Sequence, residues 1–316
     1  MNKMNSIAAR SPAGGDETVC IAGPHKILRP ARERADWAPV PPEQAAGLRQ
    51  FCLIDCETTG LDWRRHTAIE VCAAVVQVDP LGRIGGIESI GSGLVDPGHP
   101  LPTAIAALTG LTDEILKGQD IDREKLTQII ASCEGAIAFN SQFDRSFVEA
   151  LFPELPPMAW GCAMKDLPWR KLGFEPGPQN YLLAQAGYYP PSAHRAREDV
   201  LSLCQMLDHV CDDGNSVMAK LLCEMAAPAW RFEATRAQYD KRHDLKDRGY
   251  RFRRQGSGAL WHKHVRADEY DDELAWYRAF IGMEPSIVDL PATERYRDEC
   301  TWTPVVPQGG WPKYLK

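Results

Sequence analysis

Residues 51–62 read FCLIDCETTGLD, an apolar run that carries Asp55 and Glu57 before breaking into a turn with a third acid, Asp62. Residues 51–58 read as a strand, where alternate side chains share a face at about 3.3 Å rise per residue. Asp55 and Glu57 therefore stand side by side, roughly 7 Å apart at their backbones. Buried carboxylates without partners are costly, and two neighbours repel unless a cation lies between them. Magnesium or manganese suits such a pair, since both prefer carboxylate oxygen and water. The ordinary alternative is that both acids sit at an exposed strand end and cap the TTGL turn. The pair alone leaves that alternative open.

The rest of the chain supplies a frame. IEVCAAVVQV (69–78) is strand-like, and GGIESIGSGLV offers a third strand. A helical stretch over 102–133 is interrupted near LTGLTDEI, and its second half places Leu126, Ile129 and Ile130 on one stripe. A short strand at 135–139 leads through a polar turn into a helix, and MAWGCAMKD contains a further short strand. The NYLLAQAG helix ends at Gly187, YYPPSAHRARE is a loop, and Val200, Leu203, Leu207 and Val210 have helical spacing. Three strands followed by alternating helix and strand predict an α/β domain with a mixed sheet over 50–212. Residues 1–49, rich in Ala, Arg, Pro and Gly, read as a flexible N-terminal extension. Residues 213–230 read as a linker helix. Residues 231–316 read as a small basic α+β unit, with two short strands around QGSG and a helix in DEYDDELAWYRAFIG.

Composition excludes several function classes. No apolar stretch approaches the roughly 20 residues a membrane-spanning helix needs, and the first residues lack the apolar centre of a secretory signal. The ten cysteines form no CxxC pair, which predicts reduced thiols in a cytoplasmic protein and no zinc site. A net charge of −7 argues against a protein that coats nucleic acid nonspecifically. Residues 231–266 nevertheless hold eleven bases against four acids, with Tyr250, Phe252 and Trp261 interleaved. These are either a nucleic-acid platform or the core of a small unit with a solvated basic face.

Three further residues complete a pattern. Asp144 follows the 135–139 strand and Asp199 opens the last helix of the domain, so each could be a simple helix cap. His194 lies in a loop five residues before Asp199. Singly these are weak signals, but their order is specific. LIDCETTGLD, AFNSQFD and HRARED resemble the three motifs of the DEDDh exonucleases, and AIEVCAAVV and LTGLTDEIL resemble spacers of that family. The similarity is greatest to bacterial 3′–5′ exonucleases like the epsilon proofreading subunit of DNA polymerase III, and extends over most of the chain. One departure is Phe139, where the family often has His; it predicts altered local packing.

The resemblance implies a ribonuclease-H-like mixed sheet flanked by helices, and two divalent cations, Mg²⁺ or Mn²⁺, held by Asp55, Glu57, Asp144 and Asp199. It implies His194 as general base, its ordinary pKa of about 6.5 suiting neutral pH. Thr58, Gly60, Leu61, Asn140 and Phe143 would bind substrate, although Phe143 serves equally well as a core aromatic. Glu70 reads as a plain strand-surface acid. The implied function is release of nucleoside 5′-monophosphates from the 3′ end of nucleic acid, DNA being favoured, in repair or proofreading with a possible polymerase or repair partner. The alternatives are an exoribonuclease or oligoribonuclease, or a non-catalytic nucleic-acid or replisome interaction protein on the same fold.

Overall fold

The structure is a computed structural model and describes residues 19–21, 26–190, 194–235, 239–255 and 258–297. Its elements in chain order are β1 (Val19–Ile21), β2 (Lys26–Pro30), β3 (Arg49–Thr58), β4 (Ala68–Val78) and β5 (Ile84–Leu94). Then come α1 (Thr103–Thr109), α2 (Asp113–Leu116), α3 (Arg123–Ala131), β6 (Gly135–Ala138), α4 (Ser141–Leu151), β7 (Ala159–Cys162) and α5 (Ala163–Asp166). After α6 (Gln179–Gln185), β8 (Tyr188–Tyr189) and α7 (Ala196–Leu207) follows α8 (Val217–Ala226). The C-terminal unit holds β9 (Ala229–Ala234), α9 (Arg242–Asp247), β10 (Arg251–Gln255), β11 (Gly258–Arg266), α10 (Tyr270–Ile281) and β12 (Ser286–Asp289).

Five strands in the order β5-β4-β3-β6-β7 form the main sheet. The first three are antiparallel neighbours, and β6 and β7 run parallel to β3. This is the mixed α/β sheet flanked by helices that the strand pattern predicts. Every residue of β4 is buried, because both sheet faces are covered. On one face Leu53, Cys72, Ala74 and Val76 pack with Val200, Leu203 and Leu207 of α7 and with Leu182 of α6. On the other, Cys52, Ile54, Val71 and Ala73 pack with Leu126 and Ile130 of α3 and Phe147 and Val148 of α4. Val210, expected on the α7 stripe, lies beyond the helix end and is exposed.

Two boundaries differ from the sequence reading. Residues 26–49, expected within a flexible extension, belong to the fold. Strand β2 pairs parallel with β8, and Leu28, Ala31 and Trp37 are buried. The Arg32 guanidinium lies 3.6 Å from the Trp37 ring centroid and pairs with Asp208 of the segment after α7. Single anchors spaced along irregular chain leave no period to read. The expected linker helix is likewise core: Val217, Met218, Leu221 and Met225 of α8 complete the α7 side of the sheet. Its last expected residues are instead β9, in a four-stranded antiparallel sheet ordered β10-β11-β9-β12.

The C-terminal chain then returns to the main sheet. Trp160 N–H on β7 donates to the Ala292 carbonyl at 3.3 Å. The fully buried Arg145 of α4 donates to the carbonyls of Thr293 (2.8 Å) and Arg295 (2.5 Å). Arg295 in turn donates to the carbonyls of Glu224 within α8 and Ala227 just after it, and the Tyr296 hydroxyl bonds Asp166. Residues 291–297 thus strap the small unit onto the helix that bears Asp144.

Candidate active site

The site is built where β3 and β6 end. Alternation along β3 turns Asp55 and Glu57 to the α7 side of the sheet, as it does Leu53. The antiparallel register sets Asp55 opposite Cys72 and Glu57 opposite Glu70. Glu70 is only 3% exposed, so it is no surface acid. Its two oxygens accept from Arg195 Nε and Nη2, both at 3.0 Å, and Oε2 also accepts the Ala196 N–H at 3.3 Å. A buried carboxylate on β4 therefore pins the start of α7, where backbone N–H groups lack helical partners.

That helix start carries two more predicted residues. Asp199 lies in the first turn of α7, and its Oδ2 accepts the His194 N–H at 3.1 Å. It is therefore not the helix cap, a position held by Arg195. His194 has φ 61°, a left-handed conformation uncommon outside glycine. Ligand atoms of Glu57, His194 and Asp199 all lie within 4.8 Å of one another. Asp144 arrives from the opposite layer. The α4 cap position is Asn140, and Asp144, 4% exposed, reaches across so that its Oδ1 accepts the Cys56 N–H at 3.1 Å. Three elements thus bring four carboxylates into one another's field.

The electrostatics record the crowding. Burial, then the charges of Asp144, Asp199 and Glu57, push the Asp55 carboxyl well above the usual range. Burial and the charges of Asp199 and Glu70 raise Glu57 to about 7. Asp144 rises to about 8, first through burial and then through Glu57 and Asp199, against the hydrogen bond from Cys56. Burial raises Asp199 to about 6, with the His194 charge and N–H opposing. A set of hard oxygen donors whose own charges disfavour ionisation fits divalent cations of the Mg²⁺ or Mn²⁺ kind.

A stability consequence follows with a definite sign. Folded-state values above the unfolded range of about 4 mean that the folded, metal-free protein binds more protons. This contribution is fully present below about pH 4 and is lost as pH rises through about 6 to 8. Manganese should therefore raise the melting temperature more at pH 8 than at pH 5. Equal shifts at the two pH values would show that the carboxylates do not form the cation site.

The predicted substrate residues divide into two groups. Thr58 is buried and donates its hydroxyl to the Gly60 carbonyl at 2.8 Å, so it shapes the turn. A Cβ on Gly60 would come within 2.7 Å of the His66 ring, which accounts for glycine there without any ligand. Asp62 stays a turn residue, accepting the Arg64 N–H at 3.1 Å. Leu61, 86% exposed, Asn140 and Phe143 line a common groove of about 530 Å³. Phe143 also packs on Phe147 at 4.9 Å between ring centroids, so it fills core and groove together. Phe139 is partly buried against the α7-side core.

Comparison with known proteins finds a family match over the middle of the chain. The RNase_T exonuclease family model matches residues 52–158, which hold Asp55, Glu57 and Asp144. The chain carries an exonuclease domain of this family. His194 and Asp199 lie beyond the matched residues, so their membership of the site rests on geometry. The exonuclease domain is 32% identical over 117 residues to a DNA polymerase III PolC-type of Listeria welshimeri, covering 36% of this chain and 8% of that protein. It is 33% identical over 108 residues to the PolC-type polymerase of Halalkalibacterium halodurans, covering 34% and 7%. The chain thus spans less than a tenth of the length of these curated relatives. Among solved structures, E. coli exonuclease I in complex with a dT13 oligonucleotide overlaps 51% of this chain and 41% of its own. That overlap has a TM-score of 0.43 at 16% identity, too partial to bear on function.

Glu70 and Arg195 were not legible as site residues. The available signal was a lone acid inside the otherwise apolar AIEVCAAVVQV, since a buried acid demands a partner. Among the described residues no helix is long and apolar enough to cross a membrane.

Proposed function

We propose that the exonuclease domain is a cation-dependent 3′–5′ exonuclease that removes nucleoside 5′-monophosphates from DNA. The convergence of Asp55, Glu57, Asp144 and Asp199, each with its pKa raised by burial and most by one another's charge, carries this reading. Two divalent cations held by these four residues would supply Lewis-acid stabilisation of the attacking and leaving oxygens. DNA is favoured over RNA because the matching relatives are DNA polymerases.

The chain's own residues do the rest. Leu61 and Phe143, which both line the groove, receive the terminal base by apolar contact and stacking. His194 is exposed to solvent beside Glu57 and Asp199 and takes the proton of the attacking water. The new bond joins that oxygen to phosphorus as the bond from phosphorus to the 3′ oxygen breaks. The shortened strand keeps a 3′-hydroxyl, and the phosphate leaves on the nucleotide's 5′ oxygen. Glu70, through Arg195 and the Ala196 N–H, fixes the helix start beside His194 and Asp199.

His194 is close enough to the carboxylates to be read as a ligand instead, and one variant separates the roles. His194→Ala is expected to keep Mn²⁺ affinity, measured by titration calorimetry, while turnover falls by about a hundredfold or more. Loss of Mn²⁺ binding would assign it to the cation site. Substrate class is tested with 3′-labelled single-stranded DNA, mismatched duplex and RNA in parallel. Faster mononucleotide release from DNA is expected; faster release from RNA would overturn the DNA assignment.

A further inference from the structure

Residues 31–35, which follow β2, close a cavity of about 300 Å³ against one face of α7. The helix contributes Arg197, Glu198 and Ser202 from its first two turns, and the segment contributes Arg32, Glu33 and Arg34. None of these residues lines the groove of Leu61 and Phe143. The cavity nevertheless lies close to the chemistry in sequence and fold. Arg197 and Glu198 share the start of α7 with Asp199, and β2 pairs with β8, the strand that precedes the His194 loop.

The three arginines differ in what they already hold. Arg32 is committed: its Nε donates to Gln205 at 2.8 Å, it pairs with Asp208, and it lies over the Trp37 ring. Arg34 Nη1 donates to the Trp37 carbonyl at 2.6 Å, and among the described residues neither Arg34 nor Arg197 pairs with an acid. Of the two acids at the wall, Glu198 acts through its charge on Arg195. Ser202 adds an independent sign. It is fully buried, and its hydroxyl has no hydrogen-bond partner among the described residues. A helical serine ordinarily satisfies itself on the carbonyl one turn back, and an orphaned buried hydroxyl calls for a partner from elsewhere.

We propose that this cavity is a second phosphate site, separate from the carboxylate centre, that binds a nucleoside 5′-monophosphate or inorganic phosphate through Arg34, Arg197 and Ser202. Guanidinium groups present parallel N–H donors that match phosphate oxygens, and the hydroxyl supplies one donor more. The cavity is larger than a bare phosphate needs and falls in the size range of small-molecule sites. Glu33 and Glu198 suit the rest of a nucleotide, whose sugar hydroxyl and base N–H groups are donors. The exonuclease reading would make such a nucleotide the reaction's own product; that clause rests on that reading, and the binding itself does not.

Titration calorimetry of the full chain with thymidine 5′-monophosphate, in chelator at low salt, tests the site without cations at the carboxylates. Saturable binding is expected, and thymidine, which lacks the phosphate, should not bind. Arg34→Gln with Arg197→Gln should lower the affinity about tenfold or more. Ser202→Ala, which alters no charge, should lower it about three- to fivefold and serves alone should the double variant fail to fold. Lys117→Gln with Lys125→Gln, the same charge change away from the cavity, should stay within about twofold. Inorganic phosphate is titrated separately to identify the source. Weaker binding than the nucleotide, lost with the same arginines, assigns the site to nucleotides; equal binding assigns it to free phosphate. Asp55→Asn should leave the affinity within about twofold. Tighter binding in that variant would place the nucleotide at the carboxylates and overturn the proposal. Absence of binding, affinity unchanged in the arginine pair, an equal loss in the lysine pair, or thymidine binding as tightly as its monophosphate would also overturn it. Should the chain cut no DNA, the exonuclease reading fails while these titrations still decide the cavity.

Discussion

Asp55→Asn is expected to lower the rate of phosphodiester hydrolysis by on the order of a thousandfold or more, and to raise the melting temperature of the cation-free protein near pH 8. Both effects have one cause. Burial disfavours the charged form of Asp55, and the charges of Asp144, Asp199, Glu57 and Glu70 add their repulsion. An amide of the same shape removes that cost and with it a donor that the cation site needs. Activity and stability should therefore move in opposite directions, as happens where a site is held under electrostatic strain. Manganese should also stabilise the variant less than the wild-type chain. A variant that loses activity and stability together would indicate a folding defect instead.

The largest stability loss is expected at Arg145. Its guanidinium is fully buried, pairs with Glu149 at 2.7 Å and holds the carbonyls of Thr293 and Arg295. Arg145→Ala leaves those carbonyls and a partly buried carboxylate without their donor, and removes side-chain volume beside Trp160. Breaking one partner of such a buried set costs about 3–5 kcal/mol, read as a lower midpoint in urea unfolding. A loss below about 1 kcal/mol would mean that solvent replaces the lost bonds and that residues 291–297 do not strap the small unit to α4.

The contrast between these two residues shows what the sequence carried. Asp55 and Glu57 were legible because a strand's two-residue period fixes their common face without reference to the rest of the chain. Asp144, His194 and Asp199 were legible through the order of motifs, though as single residues two of them read equally well as helix caps. Only the fold shows that Asp144 bonds Cys56 across 88 positions rather than its own helix end. Glu70 was misread because its partner Arg195 lies 125 positions away, and the pairing depends on the β3–β4 register. Residues 26–49 and the 291–297 strap leave no pattern at all, being held by isolated side chains and by carbonyls that any sequence would offer. The basic stretch over 231–266 was visible as composition, but only the fold shows that Tyr250 and Trp261 within it pack into the small unit's core.

The central claim is that the four carboxylates form a cation-dependent hydrolytic centre acting at a 3′ end. A time course on 5′-labelled single-stranded DNA, with divalent cation removed by chelator and then restored, tests it most directly. The account predicts no cleavage under chelation. On adding Mn²⁺ or Mg²⁺ the label should remain on strands that shorten one nucleotide at a time, and Asp55→Asn should show no ladder. Early release of the label as a mononucleotide, or shortening that continues under chelation, would contradict it.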